Sequence, residues 1–161
     1  MPRTNTLFLL LTALVSMPLY AAQPKADPCG EGIALPMEKE RTGHTSVRLA
    51  LNGVEARLLV DTGANVSTLD ITEGQRFKTA LVPWSAESAP GEGRAQISLS
   101  VGSQPLGSQP FSVMDLHFIN IPSKRYGTEP FAAQLGAPFF IEHRARIDFG
   151  NMVVCLADPA S

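Results

Sequence analysis

The sequence is poor in charge, in aromatic residues and in cysteine. Of its 161 residues only 17% are charged and 7% are aromatic, and two are cysteine. The 13 basic residues are scattered and are outnumbered by 15 acidic ones, so the chain lacks the basic patch with which proteins bind nucleic acid. A hydrophobic content of 44%, with 13 glycines and 13 prolines, instead predicts a turn-rich globular protein of about one domain.

Three catalytic classes lack their motifs. His44, His117 and His143 form no His-Glu-x-x-His pattern and the cysteines lack metal-ligand spacing, so a zinc hydrolase has no support. No Gly-x-Ser-x-Gly sequence is present, which leaves serine hydrolysis without its nucleophile turn. Asp148-Phe149-Gly150 matches a kinase tripeptide, but the other kinase loops are missing, and we assign it to a hairpin. We predict no metal and no cofactor.

The first 22 residues have the layout of a secretory signal peptide. Arg3 precedes an apolar run from Leu7 to Val15, and Ala21-Ala22 ends the segment. The run is shorter than the ~20 residues that cross a bilayer, so we expect an exported, periplasmic or secreted protein without a permanent membrane span; retention of the segment as an anchor is the alternative. The predicted parts of the chain are a signal peptide over 1–22, an extended segment over 23–42, a folded domain over 43–157 and a tail over 158–161.

Cys29 and Cys155 lie near the two ends of the exported chain. Disulfides persist outside the cytoplasm, so a bridge between the two residues is one interpretation. Two unpaired, partly buried thiols are the other, because the sequence does not fix the distance between them.

Short alternating segments separated by turn signals predict a mostly-β domain. Asn52-Gly53 and Gly150-Asn151 are two-residue hairpin signals, each between strand-like segments. The predicted elements are strands over 46–51, 54–60, 94–101, 111–116, 144–149 and 152–156, and a helix over 69–81. These elements favour a closed β-barrel with one or two short helices.

Asp61 directly follows three apolar residues of a predicted strand. Burying a lone carboxylate is costly, because the charge loses its hydration. Thr62 supplies a hydroxyl, Gly63 allows close backbone approach and Ala64 adds little bulk. The four residues therefore predict a tight turn built around a carboxylate rather than around a phosphate or a metal.

The segment 58–69 resembles the active-site signature of the aspartic proteases at all of its positions. Ala64 after the glycine is typical of the retropepsin-like branch, and the downstream Arg146–Gly150 stretch is similar to bacterial members. A second motif of the family maps to Gln134-Leu135-Gly136, with a short helix opening at Ala137. The resemblance covers about residues 43–157 and implies a single-lobe retropepsin-like barrel.

This resemblance implies an aspartic-type endopeptidase, a hydrolase in which two aspartates share one proton and activate a water. The chain contains one Asp-Thr-Gly and no Asp-Ser-Gly, so two copies of Asp61 would form the pair in a homodimer that acts on polypeptides. Thr62 would link the two active-site loops, and Gly63 would face the substrate backbone. A glycine-bearing flap is expected over 88–93, which contains Pro90, Gly91, Glu92 and Gly93.

Two alternatives stay open beside the protease. A domain of the same fold could hold an extended peptide in its cleft without cleaving it. Asp61 could also serve only to tie down a turn in a monomeric structural domain.

Overall fold

The computed structural model describes residues 27–157. The predicted signal peptide and the predicted tail over 158–161 lie outside the described residues. The elements in chain order are β1 (Ile33–Pro36), β2 (Glu38–Lys39), β3 (Thr45–Leu51), β4 (Val54–Val60), β5 (Thr68–Asp70), β6 (Leu81–Val82), β7 (Gly93–Val101), β8 (Gln104–Met114), α1 (His117–Tyr126), β9 (Ala133–Leu135), α2 (Ala137–Glu142), β10 (Arg146–Asp148) and β11 (Val153–Leu156). Within residues 27–157 no helix is long and apolar enough to cross a bilayer.

Six of the strands close a barrel. They pair in the order β3-β4-β9-β5-β8-β7, and a short pairing between β7 and β3 completes the ring. Along β7 the buried side chains of Ala95, Ile97 and Leu99 alternate with exposed ones, because successive residues of a strand point to opposite faces of the sheet. The structure confirms the predicted mostly-β, single-lobe closed barrel, and the two helices within residues 27–157 are both short.

Both predicted hairpins are present. Asn52 and Gly53 have φ angles of 49° and 81°, the left-handed conformations that a tight two-residue turn between twisted strands requires, and β3 and β4 pair on either side of them. The second hairpin joins β10 to β11. In its turn, the Asp148 carboxylate accepts hydrogen bonds from the backbone and side-chain N–H groups of Asn151, both at 2.9 Å. The kinase-like tripeptide is therefore part of a hairpin.

The helix predicted over 69–81 is wrong. Residues 68–70 form the short central strand β5, which lies between β8 and β9, and 71–78 form successive turns. The Asp70 carboxylate accepts hydrogen bonds from the Thr72 N–H at 2.8 Å and the Thr72 hydroxyl at 2.6 Å. Such a local side-chain bond competes with helical backbone pairing, and Lys78 then turns the chain with a φ of 50°.

Strand β8 and the helices differ in part from expectation. A strand was predicted over 111–116, but β8 begins much earlier and ends at Met114. It stops there because the Asp115 carboxylate accepts the His117 N–H at 2.7 Å and so starts α1. The helix α1 was not predicted at this place. The short helix expected after Gly136 is α2, which is confirmed.

A separate three-stranded sheet, ordered β1-β11-β10, joins the two ends of the described chain. Leu35 of β1 and Leu156 of β11 are both buried, so residues near the start of the described chain contribute to the core. A disulfide joins Cys29 to Cys155, whose Cα atoms lie 5.2 Å apart. Of the two interpretations left open by the sequence, the structure adopts the bridge.

Candidate active site

Asp61 lies at the point where β4 leaves the barrel. Val60, the last residue of β4, pairs with Leu135 of the parallel strand β9, and the Asp61 N–H continues this pairing by donating to the Leu135 carbonyl at 3.0 Å. The Ala64 N–H then donates to the Asp61 carbonyl at 3.2 Å and closes a tight turn. The turn predicted around the carboxylate is present, and Asp61 in it is half-buried rather than fully enclosed.

The Asp61 carboxylate accepts few hydrogen bonds from the described part of the chain. The Gly63 N–H donates to Oδ1 at 3.0 Å, and among the described residues no other hydrogen bond reaches this carboxylate. Thr62 is exposed, and its hydroxyl has no hydrogen bond within residues 27–157. The turn thus presents an ionisable carboxylate and a hydroxyl outward, with acceptor and donor positions available to another molecule.

The second sequence motif lies directly against this turn. The Ala137 N–H donates to the Ala64 carbonyl at 2.8 Å, and the Gly136 N–H donates to the Ser67 hydroxyl oxygen at 3.1 Å. A Cβ atom at Gly136 would overlap the carbonyl groups of Val66 and Ala64, so only glycine fits. The structure therefore places Gly136 against the loop that carries Asp61. It also shows that the buried Ser67 supports this loop, a role that nothing in the sequence distinguishes from that of the other serines.

The residues proposed for a flap lie at the end of a hairpin. Strands β6 and β7 pair through Leu81 and Ala95, and the intervening loop 83–92 contains Pro90, Gly91 and Glu92, while Gly93 begins β7. Gly91 has a φ of 87° and packs closely against Ile71. No hydrogen bond joins this loop to the Asp61 turn within the described residues, so the flap stays a prediction.

A cavity of about 440 Å³ opens between the active-site loop and this hairpin. Val66 and Ser67 form its wall on the side of the active-site loop, and Trp84 and Arg94 form the wall on the hairpin side. The remaining lining residues are Pro110, Phe111, Ser112 and Pro138. A volume of several hundred Å³ is sufficient for a ligand side chain.

The three histidines are not gathered at one site. His44 contacts Thr42, and His117 begins α1. His143 packs against Phe139, with ring centroids 4.7 Å apart, and burial lowers its pKa, against an opposing effect of Glu142. Among residues 27–157, no group of three or more His, Cys, Asp or Glu side chains is placed to hold a metal ion.

A buried polar cluster on the other side of β9 was not predicted. Asp70 is 3% exposed, and besides Thr72 it accepts a hydrogen bond from the Asn120 amide at 3.4 Å. The Asn120 side chain also bonds both backbone groups of Phe131, donating to the carbonyl at 3.0 Å and accepting from the N–H at 2.8 Å. Asn120 lies 50 residues from Asp70 in the sequence, so no local pattern indicates the contact.

No protein-family model matches the sequence, and no curated protein matches it. Among solved structures, the fold is similar to a retropepsin-like aspartic protease from Rickettsia conorii, with a TM-score of 0.53 and 19% identity over 78% of this chain and 90% of that one. The retroviral protease-like domain of Ddi1 from Leishmania major gives a TM-score of 0.47 and 15% identity, covering 72% and 92% of the two chains. The EIAV protease gives 0.44 and 13%, covering 70% and 99%.

The similarity to the Rickettsia structure shows the class of fold. The chain has the single-lobe fold of the retropepsin-like aspartic proteases, which the sequence resemblance implied. A shared fold does not by itself define an activity, which depends on the chemistry of the Asp61 turn.

Proposed function

We propose that this protein is an exported aspartic endopeptidase that hydrolyses peptide bonds as a homodimer. The observation that carries the proposal is the Asp61 turn. Its carboxylate lies half-buried at the end of a barrel strand and has one hydrogen-bond donor among residues 27–157. A carboxylate held in place but left with open acceptor positions is suited to share a proton with a second acid.

The chemistry follows from bringing two such carboxylates together. Two like charges about 3 Å apart cannot both ionise comfortably, so the pair holds one proton. The ionised member accepts a proton from a water as that water attacks the peptide carbonyl. The protonated member donates to the carbonyl oxygen and later helps the proton to reach the leaving amine. No metal or cofactor takes part in this scheme.

A homodimer supplies the second carboxylate. The chain has one Asp-Thr-Gly, and a twofold axis beside Asp61 would place the same residue of a second subunit opposite it. Thr62, which is exposed and has no hydrogen bond to its own chain within residues 27–157, would bond the partner's loop. Gly63 would then lie against the substrate backbone, where a side chain would obstruct the approach.

The substrate would be an extended polypeptide. We propose that it lies between the Asp61 pair and loop 83–92, with residues 88–93 acting as the flap that excludes water. Main-chain hydrogen bonds would hold it, and alternate side chains would enter pockets. A cleft that binds such a peptide without cleaving it is the competing function.

Export is part of the proposal and has separate support. Residues 1–22 have the composition of a signal peptide, and the Cys29–Cys155 bridge is of a kind that persists in oxidising compartments. Expression of the full chain in a secreting host, followed by N-terminal sequencing, should give a mature protein that begins near residue 23. An unprocessed chain in the cytoplasm would contradict export.

The decisive assay compares the mature protein with its Asp61→Asn variant on a mixed peptide library at about pH 3 to 7. The amide cannot act as base or acid, so we expect turnover to fall by on the order of 10² to 10⁴. Asp115→Asn, a change at an exposed aspartate in a turn, is the matched control and should keep full activity. Equal cleavage by wild type and Asp61→Asn would overturn the proposal, and binding without cleavage by both would favour the competing function.

A further inference from the structure

The cavity beside the active-site loop is built by strands in fixed register. Ser112 of β8 lies opposite Thr68 of β5 on one side and Arg94 of β7 on the other, and the Ser112 N–H donates to the Ser67 carbonyl at 2.9 Å. Arg94 in turn pairs with Val82 of β6, two residues before Trp84. The cavity therefore spans the sheet from the active-site loop to the proposed flap hairpin, on the route proposed for the substrate.

Its lining combines apolar surface with a single charge. Of the described residues that line the cavity, Arg94 alone is charged. Five of the other lining residues are apolar, and two are serines: Val66, Trp84, Pro110, Phe111 and Pro138, with Ser67 and Ser112. An apolar wall with one cation at its edge suits a side chain that has an aliphatic stem and a negative end.

The Arg94 guanidinium has no acidic partner among the residues that the structure describes. Other arginines do: Arg57 pairs with Glu40 at 2.8 Å, and Arg48 pairs with Glu129 at 2.9 Å. Arg94 is exposed and forms no ion pair and no side-chain hydrogen bond among residues 27–157. Its planar set of N–H donors is therefore open to a carboxylate from outside, with bidentate geometry.

We propose that this cavity is a specificity pocket that binds an acidic side chain of the peptide substrate, with Arg94 as the residue that selects it. The inference rests on the proposed function, because it takes the ligand to be an extended polypeptide. The carboxylate of a glutamate would bond the Arg94 guanidinium, with the hydroxyl of Ser112 as a neighbouring donor. The glutamate stem would pack against Trp84.

The position of the pocket limits where in the peptide the acid can stand. Val66 and Ser67 follow the Asp-Thr-Gly turn, so the pocket lies beside the turn and not at the Asp61 carboxylate. Because alternate side chains of an extended peptide point in opposite directions, a single peptide position should carry the preference.

Trp84 provides a direct measurement of occupancy, because it is the only tryptophan of the chain and lines the pocket. The mature chain with Asp61→Asn, which should not cleave, is titrated with peptides that carry one glutamate at each position in turn and no other charged side chain, and with matched glutamine peptides. We expect glutamate at one position to bind about tenfold more tightly than glutamine and to shift the Trp84 emission.

Variants of Arg94 assign the preference to its charge. In Arg94→Met, the glutamate and glutamine peptides should bind with equal affinity, and Arg94→Lys should restore part of the difference in affinity. Arg94→Glu should instead bind peptides with lysine at the same position more tightly. Arg125→Met is the control, since Arg125 is an exposed arginine on α1 without an ion pair in the described part of the chain. It should leave the preference unchanged.

The outcomes separate this inference from the proposed function. Glutamate and glutamine peptides that bind equally at every position, a preference that survives Arg94→Met, or no peptide binding at all would each overturn the inference. Cleavage by the protein with intact Asp61 but without a glutamate preference would leave the proposed function standing alone. An Arg94-dependent preference in binding, without cleavage by intact Asp61, would support the pocket and contradict the protease.

Discussion

Asp61 and Asp70 are two carboxylates at the ends of two strands that flank the same neighbour, β9. Asp70, the last residue of β5, is 3% exposed and accepts three hydrogen bonds, two from Thr72 and one from Asn120. Asp61, directly after β4, is half-buried and accepts one from the described part of the chain, that of the Gly63 N–H. The fold thus satisfies one of the two acids with its own donors and leaves the other largely without them.

The difference separates a structural carboxylate from one that is available for chemistry. A buried acid whose oxygens are all bonded holds its neighbours in place, and it has no position left for a substrate. An acid held by its backbone and by one N–H keeps a fixed orientation but retains open acceptor positions. The consequence is that changes at Asp70 should affect stability, whereas changes at Asp61 should affect activity.

The largest stability effect should come from Asp70→Ala. The substitution removes the buried acceptor of the Thr72 N–H and hydroxyl and of one N–H of the Asn120 amide, and we expect a loss of about 3 kcal/mol in the free energy of unfolding. Urea unfolding measures it. Asp115→Ala removes an exposed carboxylate that also accepts one N–H and should cost about 1 kcal/mol. Equal losses in the two variants would contradict the distinction.

A smaller effect is expected from Gly136→Ala, which acts on the support of the Asp61 turn. The added Cβ would meet the Ala64 carbonyl oxygen at 2.9 Å and overlap the Val66 carbonyl, so the active-site loop must shift. We expect a loss of about 2 kcal/mol in stability and, because the carboxylate is displaced, a much larger relative loss of peptide cleavage. The control is Gly43→Ala, where no atom lies within 4 Å of the added Cβ but φ is 88°; it should reduce stability only and leave cleavage per folded molecule unchanged.

The smallest predicted effect concerns acid stability. Burial lowers the pKa of His143, and the amide nitrogen of Gln109 lies 3.0 Å from its Nε2, a contact in which neutral histidine accepts. As the pH falls, His143 therefore binds a proton in the unfolded chain before it does so in the folded chain. The contribution of neutral His143 to the free energy of unfolding is present above the unfolded pKa of about 6.5 and is lost as the pH falls below that value.

His143→Gln tests this contribution, because glutamine offers an acceptor and does not titrate. Its unfolding free energy should fall less between about pH 7 and pH 5 than that of the wild type. His44 is exposed, and in His44→Gln the unfolding free energy should change with pH as it does in the wild type. Identical slopes in all three proteins would contradict the assignment to His143.

What the sequence predicted correctly depends on local chemistry. The two-residue turn requires a left-handed backbone, which few residues other than asparagine and glycine adopt. Asn52 and Gly53 are therefore sufficient to predict the hairpin. The Asp-Thr-Gly turn is likewise contained in four consecutive residues, and the barrel follows from strands with alternating side chains. The family resemblance identified Gly136 as part of a second motif, but its placement against this turn was not predicted, because nothing local to Gly136 indicates Ala64 as its neighbour.

The errors arise where distant contacts decide the local structure. Residues 68–70 become a strand because β8 and β9 pair with them, and this tertiary pairing outweighs a weak helical tendency. The helix α1 was not predicted, because it buries polar residues and exposes apolar ones, the reverse of the usual arrangement. Asn120 and Ser123 are buried, while Phe118 and Ile121 are exposed. Pro122 also lies inside this helix, and a proline in a helix interior is a signal against helix in a sequence.

The most direct test of the central claim, that two copies of Asp61 form one active site, is a mixing experiment. Wild-type and Asp61→Asn subunits are combined in equal amounts under conditions that allow exchange, at a fixed concentration of wild-type plus variant chains. If each site needs Asp61 from both subunits, activity should fall to about a quarter of that of the unmixed wild type at the same total concentration. Activity of about half, as independent sites would give, would contradict the shared dyad.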